Sequence, residues 1–546
     1  MPSNISDSFL SVDTQRIQLN LNTNNITKQI EAGTELGFNL LLNEVEGEEV
    51  IFTSLDENIV TVNNTGLVTA KAYGTTQIEV STNKLPNKAL VTVEVLRKDD
   101  IAIPKVVAGR DHYVSLKADG TVWTWGYNGY GQLGTEDTQN RHKPTKINVE
   151  NIIDVSAGEY FTLLLSKDGT VYSFGANSYY QLGRTEDPMK IQKVEGLENV
   201  IGISAGTYHS MAITKQGVLY TWGYKGQLGT GDTSIRITPI KTRLKGIAKI
   251  DANYQISGAV DGNGNLYLWG DNGYGQLGNG TTTALTVPTV VTSLENVIDV
   301  AIEEYTVIAL TKDGTVWSSG YNSYGNLGNN TTTGRITFDK VIEKYEETTN
   351  EVVYLTNTKS IEAGYENAIA VKEDGTAVAW GYNSYGQFAN GTTSHSYIGT
   401  QLKYGSEKEI INEIYDVALT DGGIAIVRND GRVWTNGENG YGQIGDSSIV
   451  ARQEFTCISK TKIKFEDSPI KIKGLNVTKD TNVNLEAGFN LFYNKMEETD
   501  FEFSIKNSEI ATVNIETGAV TSVKKGKTQL TANEKITAAG GKVEVV

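Results

Sequence analysis

The chain has 546 residues with 57 Gly, 8 Pro and 1 Cys, and 48 Lys and Arg against 65 Asp and Glu leave a formal net charge of −17. Glycine at about 10 % with scarce proline excludes collagen-like and proline-rich chains, and the hydrophobic content excludes a disordered one. One cysteine rules out a disulfide framework or a paired-thiol metal site, and the acidity argues against nucleic acid and anionic membranes as partners.

In chain order, residues 1–15 read as a leader that lacks the basic and apolar regions of a secretory signal. No apolar run approaches the ~18 residues of a membrane span, so no membrane insertion is expected. Residues 16–98 carry short alternating strands, with the phrases Ile59-Val60-Thr61-Val62, Gly66-Leu67-Val68-Thr69-Ala70 and Gly74-Thr75-Thr76-Gln77-Ile78.

From residue 101 a different phrase takes over. Val122-Trp123-Thr124-Trp125-Gly126 returns around glycines 175, 223, 270, 320, 381 and 437, at spacings of 49, 48, 47, 50, 61 and 56. Eighteen residues before each marker glycine lies a second phrase, as in Ala108-Gly109-Arg110-Asp111-His112 and Ala157-Gly158-Glu159-Tyr160-Phe161. Asp-Gly pairs at 119, 168, 313, 374 and 430 sit between the two, a strong hairpin signal because glycine accepts positive φ. Seven such units of ~50 residues, with no long helical period, predict propeller blades. Closure is expected to bring the first and last strands, near Ile103 and Lys464, into one blade. Residues 466–546 then return to the pattern of the start, with Ile510-Ala511-Thr512-Val513, Gly518-Ala519-Val520-Thr521-Ser522 and Gly526-Lys527-Thr528-Gln529-Leu530.

Residues 101–465 resemble the regulator of chromosome condensation repeats, whose hallmarks are an AGxxH phrase, a DGxVYxWG hairpin and an NxxGQLG loop. Residues 16–98 and 466–546 resemble group 2 bacterial immunoglobulin-like domains. The resemblance implies an all-β chain: a seven-bladed propeller between two immunoglobulin-like β-sandwiches. Such sandwiches serve as spacers in bacterial surface proteins, which implies an extracellular or cell-surface location.

Several phrases spell enzyme motifs without their context. Gly129-Tyr130-Gly131-Gln132-Leu133-Gly134, repeated at Gly273–Gly278 and Gly440–Gly445, matches a dinucleotide fingerprint but precedes no helical period. Gly202-Ile203-Ser204-Ala205-Gly206 spells a nucleophile elbow, yet it falls between two strands rather than between strand and helix. Asp261-Gly262-Asn263-Gly264-Asn265 begins like a calcium loop and lacks the glycine and closing glutamate. Histidines 112, 142, 209 and 395 show no metal-ligand spacing, and Cys457 reads as a small buried residue. All seven tryptophans fall in two strand slots, where they fill space between blades. No catalytic, cofactor or metal site is therefore expected.

Positions that vary among the copies are released from blade duty. The first slot after the Ala-Gly phrase holds Arg110, Glu159, Thr207, Tyr254, Glu304, Tyr365 and Asp421. The second holds Asp111, Tyr160, Tyr208, Gln255, Tyr305, Glu366 and Gly422. These slots are expected to form a ring on one face, and tyrosine with acidic neighbours suits recognition. In a secreted family member that inhibits β-lactamases, aromatics of this slot contact the bound enzyme. Tyr160, Tyr208 and Tyr305 match that pattern, whereas Asp111, Gln255, Glu366 and Gly422 depart from it. Insertions at 340–347 and 404–409 add candidate contact loops. The expected function is non-enzymatic recognition or adhesion toward a protein or glycan. The alternatives are a surface-layer or filament subunit, self-associating through its immunoglobulin-like domains, and a guanine-nucleotide exchange regulator.

Overall fold

The computed structural model describes residues 102–404, 409–429 and 431–459, with shorter stretches among residues 16–96 and 462–545. The leader, Asp430 and residues 405–408 of the second insertion lie outside the described residues. Every described element is a strand, and the chain divides into two compact units.

The first unit comprises Ile101–Thr461 with Ala487–Asn494. It holds seven four-stranded antiparallel sheets, each built from consecutive strands, around a central cavity. The first blade runs Lys105–Ala108, His112–Leu116, Val122–Gly126 and Arg141–Lys146. The seventh runs Ile414–Leu419, Gly423–Arg428, Val433–Gly437 and Arg452–Cys457. No blade mixes the two ends, which corrects the expected closure. Ile103 precedes the first strand, and Lys464 lies in a separate pair, Lys462–Glu466 with Asn482–Glu486. The first blade's outer strand follows in sequence from its own third strand, so no strand is exchanged where the ring closes.

Local chemistry explains the blade. At the first hairpin, Gly120 takes φ +76°, and the Asp119 carboxylate accepts from the Thr121 amide at 3.0 Å and its hydroxyl at 2.8 Å. The third strand ends on the marker glycine, with φ between +96° and +118° in all seven copies. The core lies between blades rather than within one. Val114, Leu116 and Val122 of the first blade pack with Val155, Leu164 and Phe174 of the second. Tryptophan bonds the blades together. The Nε1–H groups of Trp125, Trp222, Trp269 and Trp380 donate to the carbonyls of Gln443, Gln181, Gln227 and Asn326 in the preceding blade.

Between blades the chain turns through a left-handed corner at Asn151, Asn199, Gly246, Asn296, Asn357 and Glu413, with φ of 58, 53, 68, 55, 53 and 57°. Asn and Gly dominate because they tolerate this conformation best. The two insertions form hairpins beside these corners. Ile342–Glu346 pairs with Glu351–Tyr354, and Lys403–Tyr404 with Glu409–Ile410.

In the second unit, Ile26–Glu31 pairs in parallel with Ala89–Leu96, which continues antiparallel through Gly74–Thr82 to Val50–Ser54. Toward the C-terminus, Phe501–Ile505, Leu530–Glu534 and Val543–Val545 form a three-stranded sheet. Ala511–Val513 pairs with Val520–Ser522 as Val60–Val62 pairs with Val68–Ala70, the shared short hairpin of the two immunoglobulin-like domains.

Candidate functional site

The variable slots occupy the turn from the first to the second strand of each blade, and the marker glycine fixes that turn. A Cβ on Gly175 would stand 2.6 Å from the Tyr160 carbonyl oxygen, and one on Gly223 would stand 2.5 Å from that of Tyr208. The next residue's amide then bonds the same carbonyl. Tyr127 donates to Asp111 at 2.9 Å, Tyr224 to Tyr208 at 2.8 Å and Tyr382 to Glu366 at 2.8 Å. The invariant phrase thus serves as an anchor for the variable one.

First-slot side chains converge around Arg110. Its guanidinium donates to Glu159 at 3.0 Å, lies 3.6 Å from Asp421, and sits 5.7 Å from the ring centroid of Tyr365. These partners come from three different blades, and Arg110 from a fourth. Burial works against the Arg110 charge, and Glu159 with Asp421 more than offsets it, so the group stays cationic. Around it, burial raises the carboxyls of Glu304, Asp421 and Glu438. Burial, with nearby carboxylates, pushes Asp111 and Glu366 up to about 7. Thr207 is buried, and Gln255 is fixed through its carbonyl by the Asp271 amide at 2.9 Å.

The second-slot tyrosines, each partly exposed, pack on a belt of tyrosines from the glycine-rich blade loops. Tyr160 packs on Tyr130 of the preceding blade with ring centroids 5.0 Å apart, Tyr208 on Tyr179 at 4.7 Å and Tyr305 on Tyr274 at 4.9 Å. Tyr305 also meets Tyr254 at 5.2 Å, and Tyr441 of the last blade meets Tyr127 at 4.7 Å. Tyr130 and Tyr274 remain 48 % exposed, more than a packing role needs. The signal was in the sequence: a tyrosine recurs before the second loop glycine, where the turn itself demands none.

Below the ring, the first strands of all seven blades line a cavity of ≈ 460 Å³. Lys105 pairs with Asp154, and Lys249 lies 3.5 Å from Asp299. Burial pushes Asp251 up to about 7 and Asp416 to about 6, although each accepts a backbone amide, from Ile302 at 2.7 Å and Val106 at 2.8 Å. Among the described residues no group of three or more His, Cys, Asp or Glu is arranged to hold a metal.

The motif-like phrases find structural roles. His112 and His209 are fully buried against Gly109 and Gly206, where any Cβ would strike the imidazole, and His209 Nε2 meets Ser257 Oγ at 2.7 Å. Ser204 stands on a blade's innermost strand, and Asp261 caps its own hairpin through the amides of Asn263 and Asn265. Gly131 and Gly134 close the blade loop by bonding the carbonyls of Asn128 and Gly131.

Two models of the regulator of chromosome condensation (RCC1) repeat match this chain. One matches residues 119–165, 168–213 and 263–310, and the other 105–132, 152–181, 200–227 and 359–387. The bacterial Ig-like domain (group 2) model matches residues 23–93 and 470–545. The chain is 29 % identical over 380 residues to the ultraviolet-B receptor UVR8 of Arabidopsis thaliana, covering 65 % of this chain and 82 % of that protein. It is 29 % identical over 209 residues to the human E3 ubiquitin-protein ligase HERC2, covering 35 % of this chain and only 4 % of that protein. Human WBSCR16 shares the fold at a TM-score of 0.54 and 19 % identity, over 62 % of this chain and 94 % of that one. Yeast RCC1 (Prp20), solved with Kap60 bound, matches at 0.54 and 19 %, over 66 % and 86 %.

Proposed function

We infer that this chain, an RCC1-repeat propeller flanked by group 2 bacterial Ig-like domains, is a non-enzymatic recognition protein whose loop ring binds a protein. The observation that carries this reading is the pairing of an exposed tyrosine belt with a carboxylate-rich inner ring on one set of loops. Tyrosine supplies rigid amphipathic contact area at low entropic cost. The carboxylates of Asp111, Glu159, Glu304, Glu366 and Asp421 outnumber the one guanidinium of Arg110, which favours a partner surface that presents lysine or arginine. The Ig-like domains support a bacterial surface or secreted setting, where they act as spacers and the propeller as the adhesive head.

The test is capture from candidate partner extracts by the full chain, at low and high salt, against a variant with Tyr160, Tyr208 and Tyr305 changed to Ala. A specific partner is expected to be lost by the variant and weakened by salt. Equal recovery by both proteins would remove the ring from the interface. Stimulated guanine-nucleotide release from a small GTPase would favour the exchange-factor reading instead.

A further inference from the structure

Five of the six covalently linked joints between blades share the same two backbone bonds. At the second blade, the corner carbonyl of Asn151 accepts from the Lys167 amide at 2.9 Å, and the next amide, Ile152, donates to the hairpin carbonyl of Gly120 at 3.2 Å. At the seventh blade, Glu413 accepts from Asn429 at 2.8 Å and Ile414 donates to Gly375 at 2.9 Å. The joint residue is buried in all six, and it is apolar in five, with Thr358 the exception; Ile152 and Ile414 are each 1 % exposed.

The seam between blades seven and one has no covalent linker, because the chain leaves the last blade at Cys457 and enters the first at Lys105. Ile103, which stands two residues before Lys105 as Ile152 stands two before Asp154, is 54 % exposed and leaves the joint unfilled. Both locking bonds are nevertheless made, by a single residue remote in sequence. The Ala118 amide donates to the Leu491 carbonyl at 2.9 Å, and the Leu491 amide donates to the Gly431 carbonyl at 3.0 Å. Ala118 holds the place of Lys167, and Gly431 that of Gly120. Leu491 is fully buried, and the Phe489 ring lies 5.5 Å from that of Trp123, tilted, and 5.7 Å from that of Trp125, edge-on.

We propose that this seam is a binding site for an apolar segment with Phe-x-Leu spacing, and that Phe489 and Leu491 are its resident ligand and close the propeller. Leu491 mimics a covalent joint with its peptide group, and Phe489 fills the space beside the first-blade tryptophans. The segment falls within the C-terminal Ig-like match, residues 470–545, yet groups with the propeller unit. The N-terminal domain carries the same phrase, Gly37-Phe38-Asn39-Leu40 for Gly488-Phe489-Asn490-Leu491, and there Asn39–Leu42 pairs with Arg16–Leu19. One strand phrase thus has two uses in one chain. Closure bears on the ring, since the Asp421 amide donates to the Arg110 carbonyl at 2.9 Å across this seam.

The experiment compares full-length Leu491→Asp with Leu40→Asp, which makes the same change in the same phrase of the other domain. Hydrogen exchange is followed at the Ala118 amide, and a synthetic peptide of residues 487–494 is then added in excess. Exchange at Ala118 is expected to quicken at least tenfold in Leu491→Asp, to stay unchanged in Leu40→Asp, and to slow again with the peptide. A peptide carrying the Phe489→Ala change should rescue poorly. If Leu491→Asp is insoluble, Leu491→Ala carries the same measurement. Unchanged exchange at Ala118 in a folded Leu491 variant, or equal loss in Leu40→Asp, overturns the proposal. These readouts do not depend on any partner of the ring.

Discussion

The indole N–H of Trp125 donates to the carbonyl of Gln443 at 2.9 Å, so a fully buried ring of the first blade is bonded to a loop of the last. Where the tryptophan slot holds a smaller residue, the bond persists: Ser319 donates to Gln276 at 2.9 Å and Asn436 to Gln387 at 2.9 Å. Phe174 keeps the packing and has no donor. Trp125→Phe therefore leaves one buried carbonyl unpaired, and a loss of about 1–3 kcal/mol is expected in urea unfolding. An unchanged midpoint would show that the indole bond adds nothing to the packing of the ring.

Two glycines with positive φ should respond in opposite directions. At Gly175, φ is +109° and an added Cβ meets the Tyr160 carbonyl oxygen at 2.6 Å, so Gly175→Ala forces the ring loop to move. At Gly246, φ is +68° with nothing within 4 Å, and Asn already holds the same corner in four other joints. Gly246→Asn is expected to be neutral or to stabilise by up to about 1 kcal/mol through a less flexible unfolded chain. Denaturant midpoints of the two variants check the contrast. Loss in Gly246→Asn as large as in Gly175→Ala would refute it.

The seven blades were legible because they repeat their turn chemistry, with Asp-Gly at five of the hairpins and glycine where φ must be positive. Closure was not. Leu491 lies in a segment with no blade phrase, and its role exists only as two backbone bonds across a seam. The belt was hidden for a different reason. Tyr130, Tyr179 and Tyr274 recur like the glycines beside them, so variation among copies does not single them out, yet their exposed faces share a surface with the variable slots. The convergence on Arg110 joins residues up to 311 positions apart, as in Arg110 with Asp421, beyond the reach of local pattern.

Stability should rise as pH falls from 8 to 6.5. Asp111, Glu366 and Asp251 are pushed up to about 7 and Asp416 to about 6, all chiefly by burial. The folded chain therefore binds these protons at higher pH than the unfolded chain does, and folding gains as they are taken up. Burial holds His112 and His209 down at about 3, so their contribution has the opposite sign and is lost only as pH falls below their unfolded value near 6.5. Thermal midpoints between pH 8 and 6.5 isolate the carboxyls. The slope should flatten in an Asp111→Asn, Glu366→Gln variant, and a midpoint that falls across this window would contradict the assignment.

Arg110→Gln tests whether the ring's one first-slot cation is electrostatically necessary. Glu159 and Asp421 lose their counter-charge, and Asp111, whose carboxyl Arg110 also draws down, rises further. At pH 8 the variant must hold these carboxylates charged in a partly desolvated turn, so its thermal midpoint should drop below the parent's. Near pH 5.5 Asp111, pushed up to about 7, has taken up its proton, and the gap should narrow. A gap equal at both pH values would mean that Arg110 acts by packing on Tyr365 rather than by charge. Binding should move the other way, because the variant ring is more acidic. Capture of a lysine- or arginine-bearing partner at pH 8 and low salt should strengthen in Arg110→Gln even as the protein becomes less stable. Stability and affinity changing in opposite directions would identify the ring as a surface kept for recognition at a cost to the fold.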